Sequence, residues 1–153
     1  MNADWMRTIE AVESRDDGGL FLRWSDGTKA EVALPKDFAA RCGEVSVGDW
    51  GHSIVWPDGT ELGADTLWLG TLTAIGRADA RQFLEWRLAN GLSLARAAEE
   101  LGLSRRTVAY YSNGTRVVPK AILLACKGWD ASHPQSRAAW RCRARSDTGS
   151  GRR

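Results

Sequence analysis

The chain's 153 residues are 43% hydrophobic and 26% charged, proportions of a globular protein with one ordinary domain or two small ones. No apolar run approaches the ~18–20 residues of a membrane span, and Cys42, Cys126 and Cys142, far apart and without CxxC or Cys/His spacing, exclude a disulfide framework and a zinc site. The net charge of +2 hides a split: residues 1–77 carry 7 Lys/Arg and 13 Asp/Glu, a net of −6, while residues 78–153 carry 14 and 6, a net of +8.

Such a split predicts two modules with different partners, the basic one suited to a polyanion. Two solvated surfaces that differ by chance are the plainer alternative. The start, MNADWMRTIEAVESRDD, has no basic stretch followed by an apolar one, so no signal peptide is expected. Together with the unpaired cysteines this points to a reducing cytoplasm.

In chain order, a first strand is expected over residues 8–13. Leu20, Leu22 and Trp24 then alternate with Phe21 and Arg23, and Ala30, Val32 and Leu34 alternate with Glu31 and Ala33. Period two means strands with one buried face. Between them lies Trp24-Ser25-Asp26-Gly27-Thr28, a spelling that returns as Trp56-Pro57-Asp58-Gly59-Thr60. Asp-Gly supplies positive φ at low steric cost and so closes hairpins. At the second site Pro57-Asp58-Gly59 predicts a bulged turn between strands at residues 52–56 and 60–64. Residues 35–43 read as a short helix, started by Pro35 and stopped by Gly43. Residues 1–76 are therefore expected to form an acidic α+β domain of antiparallel hairpins plus a short helix, with Trp24 and Trp56 buried.

His52 lies near Asp49, flanked by Ser46 and Ser53. Adjacency in sequence does not make a triad, and a histidine beside a strand is usually structural or exposed, so no catalytic residue is assigned. Asp16, Asp17, Asp26, Asp58 and Asp65 lack calcium-loop spacing and read as turns and solvated edges. RWSDGTKAEVAL and VSVGDWGHSIVWPDGTELGADTLWL together resemble a widespread bacterial domain family of unknown function. Its members carry an F/W-S-D-G turn, a G-x-I-x-W-P-D/N-G hairpin and a closing D-x-L-W/Y. The resemblance covers the first half of the chain. Members occur alone or fused to a helix-turn-helix, and some stand beside small toxin-like genes, which implies an antitoxin-like role. It supplies no catalytic residues.

Gly70 and Gly76 bracket LGTLTAIG, which reads as a linker. Four helices are expected beyond it. The first, over residues 79–90, puts Ala80, Phe83, Leu84 and Leu88 on one face, and Gly91 ends it. Ser93 caps the second, where Leu94, Ala97, Ala98 and Leu101 share a face and Gly102 is the C-cap. After a three-residue turn Ser104 caps the third. Val108 and Tyr111 face inward there, and Arg105, Arg106, Ala109 and Tyr110 face outward, until Asn113-Gly114 stops the helix. Pro119 opens the fourth, with Ile122, Leu123, Cys126 and Trp129 on a broad apolar face. Two helices joined by a tight glycine turn, the second capped, make a helix-turn-helix layout. Arginine can fork onto guanine O6/N7 or hold phosphate, and the helix end at Ser104 offers a positive pole to phosphate. A structural helical corner with a basic rim is the alternative.

GLSLARAAEELGLSRRTVAYYSNGTRVVP resembles the Xre, lambda-repressor-like class over about a third of the chain. Ala98, Leu101, Gly102, Ser104, Thr107, Val108, Asn113 and Gly114 fall on that pattern. The resemblance implies an all-α lambda-repressor-like helix-turn-helix domain, here residues 77–130. It implies base contacts from Arg105, Arg106, Ala109 and Tyr110, and backbone contacts from Ser93, Asn113, Thr115 and Arg116. Ser104 and Thr107, at the start of the third helix, complete the DNA-binding set. Leu94 stands where the family often has a DNA-contacting glutamine and is expected to pack instead.

Residues 131–153 hold six arginines in Gly/Ser-containing sequence of low apolar content and read as a basic, disordered tail. It either holds phosphates without reading sequence or is simply solvated. The expected function is that of a cytoplasmic regulator that binds operator duplex DNA and represses its own promoter. One such domain makes few contacts, so a homodimer on a palindrome is expected. No catalysis, cofactor, metal or membrane is involved. The alternative is an antitoxin-type module whose acidic domain neutralises a basic toxin, with DNA binding secondary.

Overall fold

Two turns of the same spelling fold in the same way. The computed structural model describes residues 7–39 and 44–134, and contacts divide the chain into two compact units, Met1–Ala78 and Asp79–Arg153. The first begins with β1 (Ile9–Ser14), β2 (Gly19–Trp24) and β3 (Lys29–Ala33), an antiparallel sheet in that order. Helix α1 (Lys36–Ala39) follows, then β4 (Ser46–Val47), β5 (Ser53–Val55) and β6 (Glu61–Gly63), a second antiparallel sheet. The β2–β3 turn is closed by Trp24 N–H on the Thr28 carbonyl and Gly27 N–H on the Trp24 carbonyl, both 2.9 Å. In the β5–β6 turn, Trp56 N–H on the Thr60 carbonyl and Gly59 N–H on the Trp56 carbonyl repeat those bonds at 2.9 Å. Asp26 and Asp58 each accept the N–H of the following threonine at 2.9 Å. Gly27 and Gly59 sit at φ +90° and +85°, the left-handed position that follows a type I turn in a bulged hairpin.

The alternation holds. Leu20, Leu22, Trp24, Ala30 and Val32 are buried, while Arg23, Lys29, Glu31 and Ala33 are exposed. Leu20 lies opposite Val32 and Leu22 opposite Ala30 in the register, so the buried face is continuous across the pair. Ile54, Trp56 and Leu62 extend the core from the second sheet. The helix expected over residues 35–43 is seen as α1, and residues 40–43 lie outside the described residues.

The expected linker is not one. Residues 69–74 belong to helix α2 (Ala64–Ala74), whose Leu67, Trp68, Thr71 and Leu72 are buried. Gly70 and two threonines weaken intrinsic helix propensity, but packing decides here. A Cβ on Gly70 would lie 2.5 Å from Val32 Cγ1, so the glycine lets α2 approach β3 closely. One residue on, the fully buried Thr71 hydroxyl accepts the Trp24 indole N–H at 3.0 Å and donates to the Leu67 carbonyl at 2.9 Å. Trp68 meets the Trp24 ring edge-on, with centroids 4.8 Å apart.

The second unit holds α3 (Ala78–Ala89), α4 (Leu94–Leu101), α5 (Arg105–Ser112) and α6 (Lys120–Ser132). On α3, Ala80, Phe83 and Leu84 are buried and Leu88 is half-buried. Trp86 and Arg87 are buried as well; Arg87 falls at i+7 from Ala80, on the apolar face, despite its charge. Phe83 packs edge-on to Tyr111 at 5.5 Å, and Trp86 to Trp129 at 5.7 Å. On α6 only Cys126 of the expected face is fully buried; Ile122, Leu123 and Trp129 are half-buried. Burial, with the Asp130 carboxylate second, raises the Cys126 thiol to about 12, so it is protonated and inert at neutral pH. Cys42, Cys142, Trp140 and the arginine-rich segment from residue 135 onward lie outside the described residues.

Thr71→Val keeps the shape but leaves the buried Trp24 N–H without its acceptor. It should cost ~1–3 kcal/mol in the denaturant unfolding of the first unit, whereas Thr71→Ser should cost less. Equal stability of Thr71→Val and the parent would show that the bond contributes nothing net.

Candidate nucleic-acid interface

Local capping chemistry fixes α4 and α5. Ser93 accepts the Arg96 N–H at 3.1 Å, and Ser104 accepts the Thr107 N–H at 3.1 Å, each satisfying an otherwise orphaned helix donor. The Ser104 and Thr107 hydroxyls also pair, at 2.8 Å. Between the helices Gly102 takes φ +68°, and the Leu103 N–H reaches back to the Ala98 carbonyl at 2.9 Å, a glycine-based helix stop. Leu94, Ala97 and Ala98 are buried on α4 and Val108 and Tyr111 on α5. Leu94 packs as expected.

Arg87 holds these elements from below. It is 4% exposed, its Nε donates to Ser112 Oγ at 3.3 Å and its Nη1 to the Leu92 carbonyl at 3.1 Å. It therefore joins α3 to the approach of α4 and to the last turn of α5. It lies at i+7 from Ala80 and i+4 from Phe83, on the buried face of α3, so the spacing places it inside and only its charge argues for solvent.

Of the ten expected site residues, Ser93, Ser104, Arg105, Arg106, Thr115 and Arg116 are exposed. Thr107, Ala109 and Tyr110 are half-buried on α5. Asn113 is buried, and its side-chain oxygen accepts both the Thr115 N–H, at 2.9 Å, and the Thr115 hydroxyl, so it shapes the loop after α5. The Arg116 N–H donates to the Tyr110 carbonyl at 3.2 Å, and the Val118 N–H donates to the Asp79 carboxylate at 2.8 Å. This loop is thus folded back on α5 and anchored to α3.

The result is a cationic cluster around one ring. The Arg106 Nε donates to the Tyr110 hydroxyl at 2.8 Å. The guanidinium carbons of Arg106 and Arg116 lie 5.6 and 5.0 Å from the Tyr110 ring centroid, within cation–π range. Arg105, at the first position of α5, is exposed beside them. Arg96 on α4 differs, since it meets Glu100 at 2.7 Å and Glu99 at 3.4 Å on its own helix.

The first unit offers a different surface. Trp50 is 89% exposed and sits at φ +59°, a left-handed conformation costly for a bulky residue. Next to it Gly51 has φ +75°, and a Cβ there would stand 2.7 Å from the Ile9 carbonyl, so this turn is seated closely against β1. His52 is exposed and Ser53 buried, so these neighbours meet different environments rather than one site. A groove of about 520 Å³ runs past Val12, Glu13, Glu44, Val45 and Trp56.

Scanned against protein-family models the sequence matches none, and no curated protein matches it. Among solved structures, the crystal structure of Putative DNA Binding Protein NE0471 from Nitrosomonas europaea is similar to it. The TM-score is 0.56 and the identity 33%, over 90% of this chain and 95% of that one. The chain belongs to the family of that protein. Coverage this wide takes in residues of both units, so the family extends well beyond either stretch of motif. An antiparallel sheet region followed by helices, an α+β chain overall, is the architecture here. No helix among the described residues is long and apolar enough to cross a membrane.

Ser104→Ala removes the α5 cap and should lower the stability of the second unit by ~0.5–2 kcal/mol, read from denaturant midpoints. Ser104→Asp, which can cap equally well, should restore most of the loss. If alanine matches serine, the cap does not stabilise α5.

Proposed function

We propose that this protein is a sequence-specific duplex-DNA-binding regulator of the Xre, lambda-repressor-like type. In this reading α4 and α5 are the helix-turn-helix and α5 enters the major groove. What carries the reading is Arg106 and Arg116 gathered at Tyr110, with the exposed Arg105 at the start of the same capped helix. The relative from Nitrosomonas europaea, named as a putative DNA-binding protein, supports the same direction. Arg105, Arg106, Ala109 and Tyr110 face base edges. Ser93, Ser104, Thr107, Thr115 and Arg116 meet phosphates, and Asn113 acts by holding the loop. Residues 77–130 are the DNA-binding domain and residues 1–76 a separate one. The protein acts as a homodimer on a palindrome and represses its own promoter, without catalysis.

Binding of the full chain to duplex DNA should weaken steeply with salt, as neutralised phosphates release counterions. Replacing both Arg105 and Arg106 with alanine should cost at least ~1–3 kcal/mol on a selected site, measured by fluorescence anisotropy. Undiminished affinity in the double variant would remove α5 from the interface.

A second reading is favoured by Trp50 and the charge of its unit. The residues that anchor protein contacts are enriched in tryptophan, and a net of −6 over residues 1–77 attracts a cationic partner. The acidic domain then binds a basic protein of the toxin kind, with DNA binding secondary. Tagged full-length protein should retain a basic protein from the native cell that Trp50→Ala releases. Identical captures by the two would remove Trp50 from that role.

A further inference from the structure

The two neighbouring tyrosines of α5 do different things. Tyr111 is buried and packs edge-on to Phe83, which accounts for it as core. Tyr110 is half-buried and spends its polar and aromatic contacts on two arginines instead. We infer that Tyr110 is a positioning residue that presents Arg106 and Arg116 to DNA as one pre-ordered pair, with Arg106 aimed at guanine. This rests on the DNA-binding reading above.

Four residues along a helix place Arg106 and Tyr110 on the same face. The bond from Arg106 Nε to the Tyr110 hydroxyl, 2.8 Å, uses the one guanidinium nitrogen that lies on the side of the fork. The two terminal nitrogens remain, and end-on they match the O6 and N7 acceptors of guanine in the major groove. Because the hydroxyl oxygen accepts from Nε, its own proton is left to donate outward to a phosphate or base acceptor. Arg116 comes from the loop, not the helix. It is held twice by the same residue: its N–H bonds the Tyr110 carbonyl at 3.2 Å and its guanidinium lies 5.0 Å from the ring centre. A long side chain already ordered loses less freedom on binding, so the pair is worth more to recognition than two free arginines. Arg105 has no such bond to the ring and supplies charge near the helix start.

The test uses the full chain, a duplex selected from a random pool, and the same duplex with its guanines exchanged for adenine, each titrated at several salt concentrations. Tyr110→Phe removes the hydroxyl and keeps the ring. It should lower discrimination between the two duplexes about tenfold and leave the salt dependence and the thermal midpoint as in the parent. Arg106→Lys keeps the charge without the Nε bond and should reproduce that loss. Tyr110→Ala also removes the ring that Arg116 lies against, and should weaken binding to every duplex and reduce the salt slope by about one. A selective parent with an equally selective Tyr110→Phe overturns the positioning role alone. A parent that binds no duplex overturns the DNA-binding reading, and the role falls with it.

Discussion

A buried guanidinium governs what the helical unit can present. Removing a charge from water is costly unless it is hydrogen-bonded, and Arg87 meets part of that demand with Ser112 at the end of α5 and the Leu92 carbonyl just before α4. Helix α5, which carries most of the exposed cluster, and the approach to α4 are therefore tied to one point on α3. The Asp79 carboxylate, at the start of α3, takes the Val118 N–H from the loop beyond α5. The surface arginines lie on a frame whose polar joints are internal. Their geometry then depends on a residue that touches none of the outer face.

The first unit solves a similar problem with a neutral pair. Trp24, the last residue of the middle strand β2, brings bulk to the core but also an N–H that must find an acceptor. Thr71 supplies it, and the helix carrying Thr71 can come near enough because Gly70 has no Cβ to collide with Val32. Sheet and helix are thus specified together, residue against residue. The core of this unit includes Leu20, Leu22, Trp24, Val32, Ile54, Leu67 and Leu72, all deeply buried.

What could be read from sequence follows how local the chemistry is. The Asp-Gly turns, the period-two strands and the Ser93 and Ser104 caps are decided within about five residues, and the structure has them where the pattern places them. Helix α2 was misread because Gly70, taken alone, is a helix breaker and makes sense only opposite Val32, 38 positions away in the numbering. Arg87 shares the phase of Ala80, Phe83 and Leu84 on α3, but its charge argues for solvent, and its burial makes sense only with Ser112 and the Leu92 carbonyl as partners. In the exposed cluster, the four-residue spacing of Arg106 and Tyr110 was legible. The approach of Arg116 was not, since it needs the backbone of the following loop to fold back onto Tyr110.

The twin turns also guard against strand slippage. A sheet with one buried face tolerates no one-residue shift, because every side chain would change sides. For β2 such a slip would put Leu20, Leu22 and Trp24 in solvent and Phe21 and Arg23 in the core. Each turn locks its hairpin with two backbone bonds and an aspartate anchor that reach no further than four residues. Alignment is therefore fixed at the hairpin tips, independently of what packs on the faces. Substitutions in the core can loosen this unit without offering its strands an alternative pairing, the usual first step toward edge-to-edge aggregation.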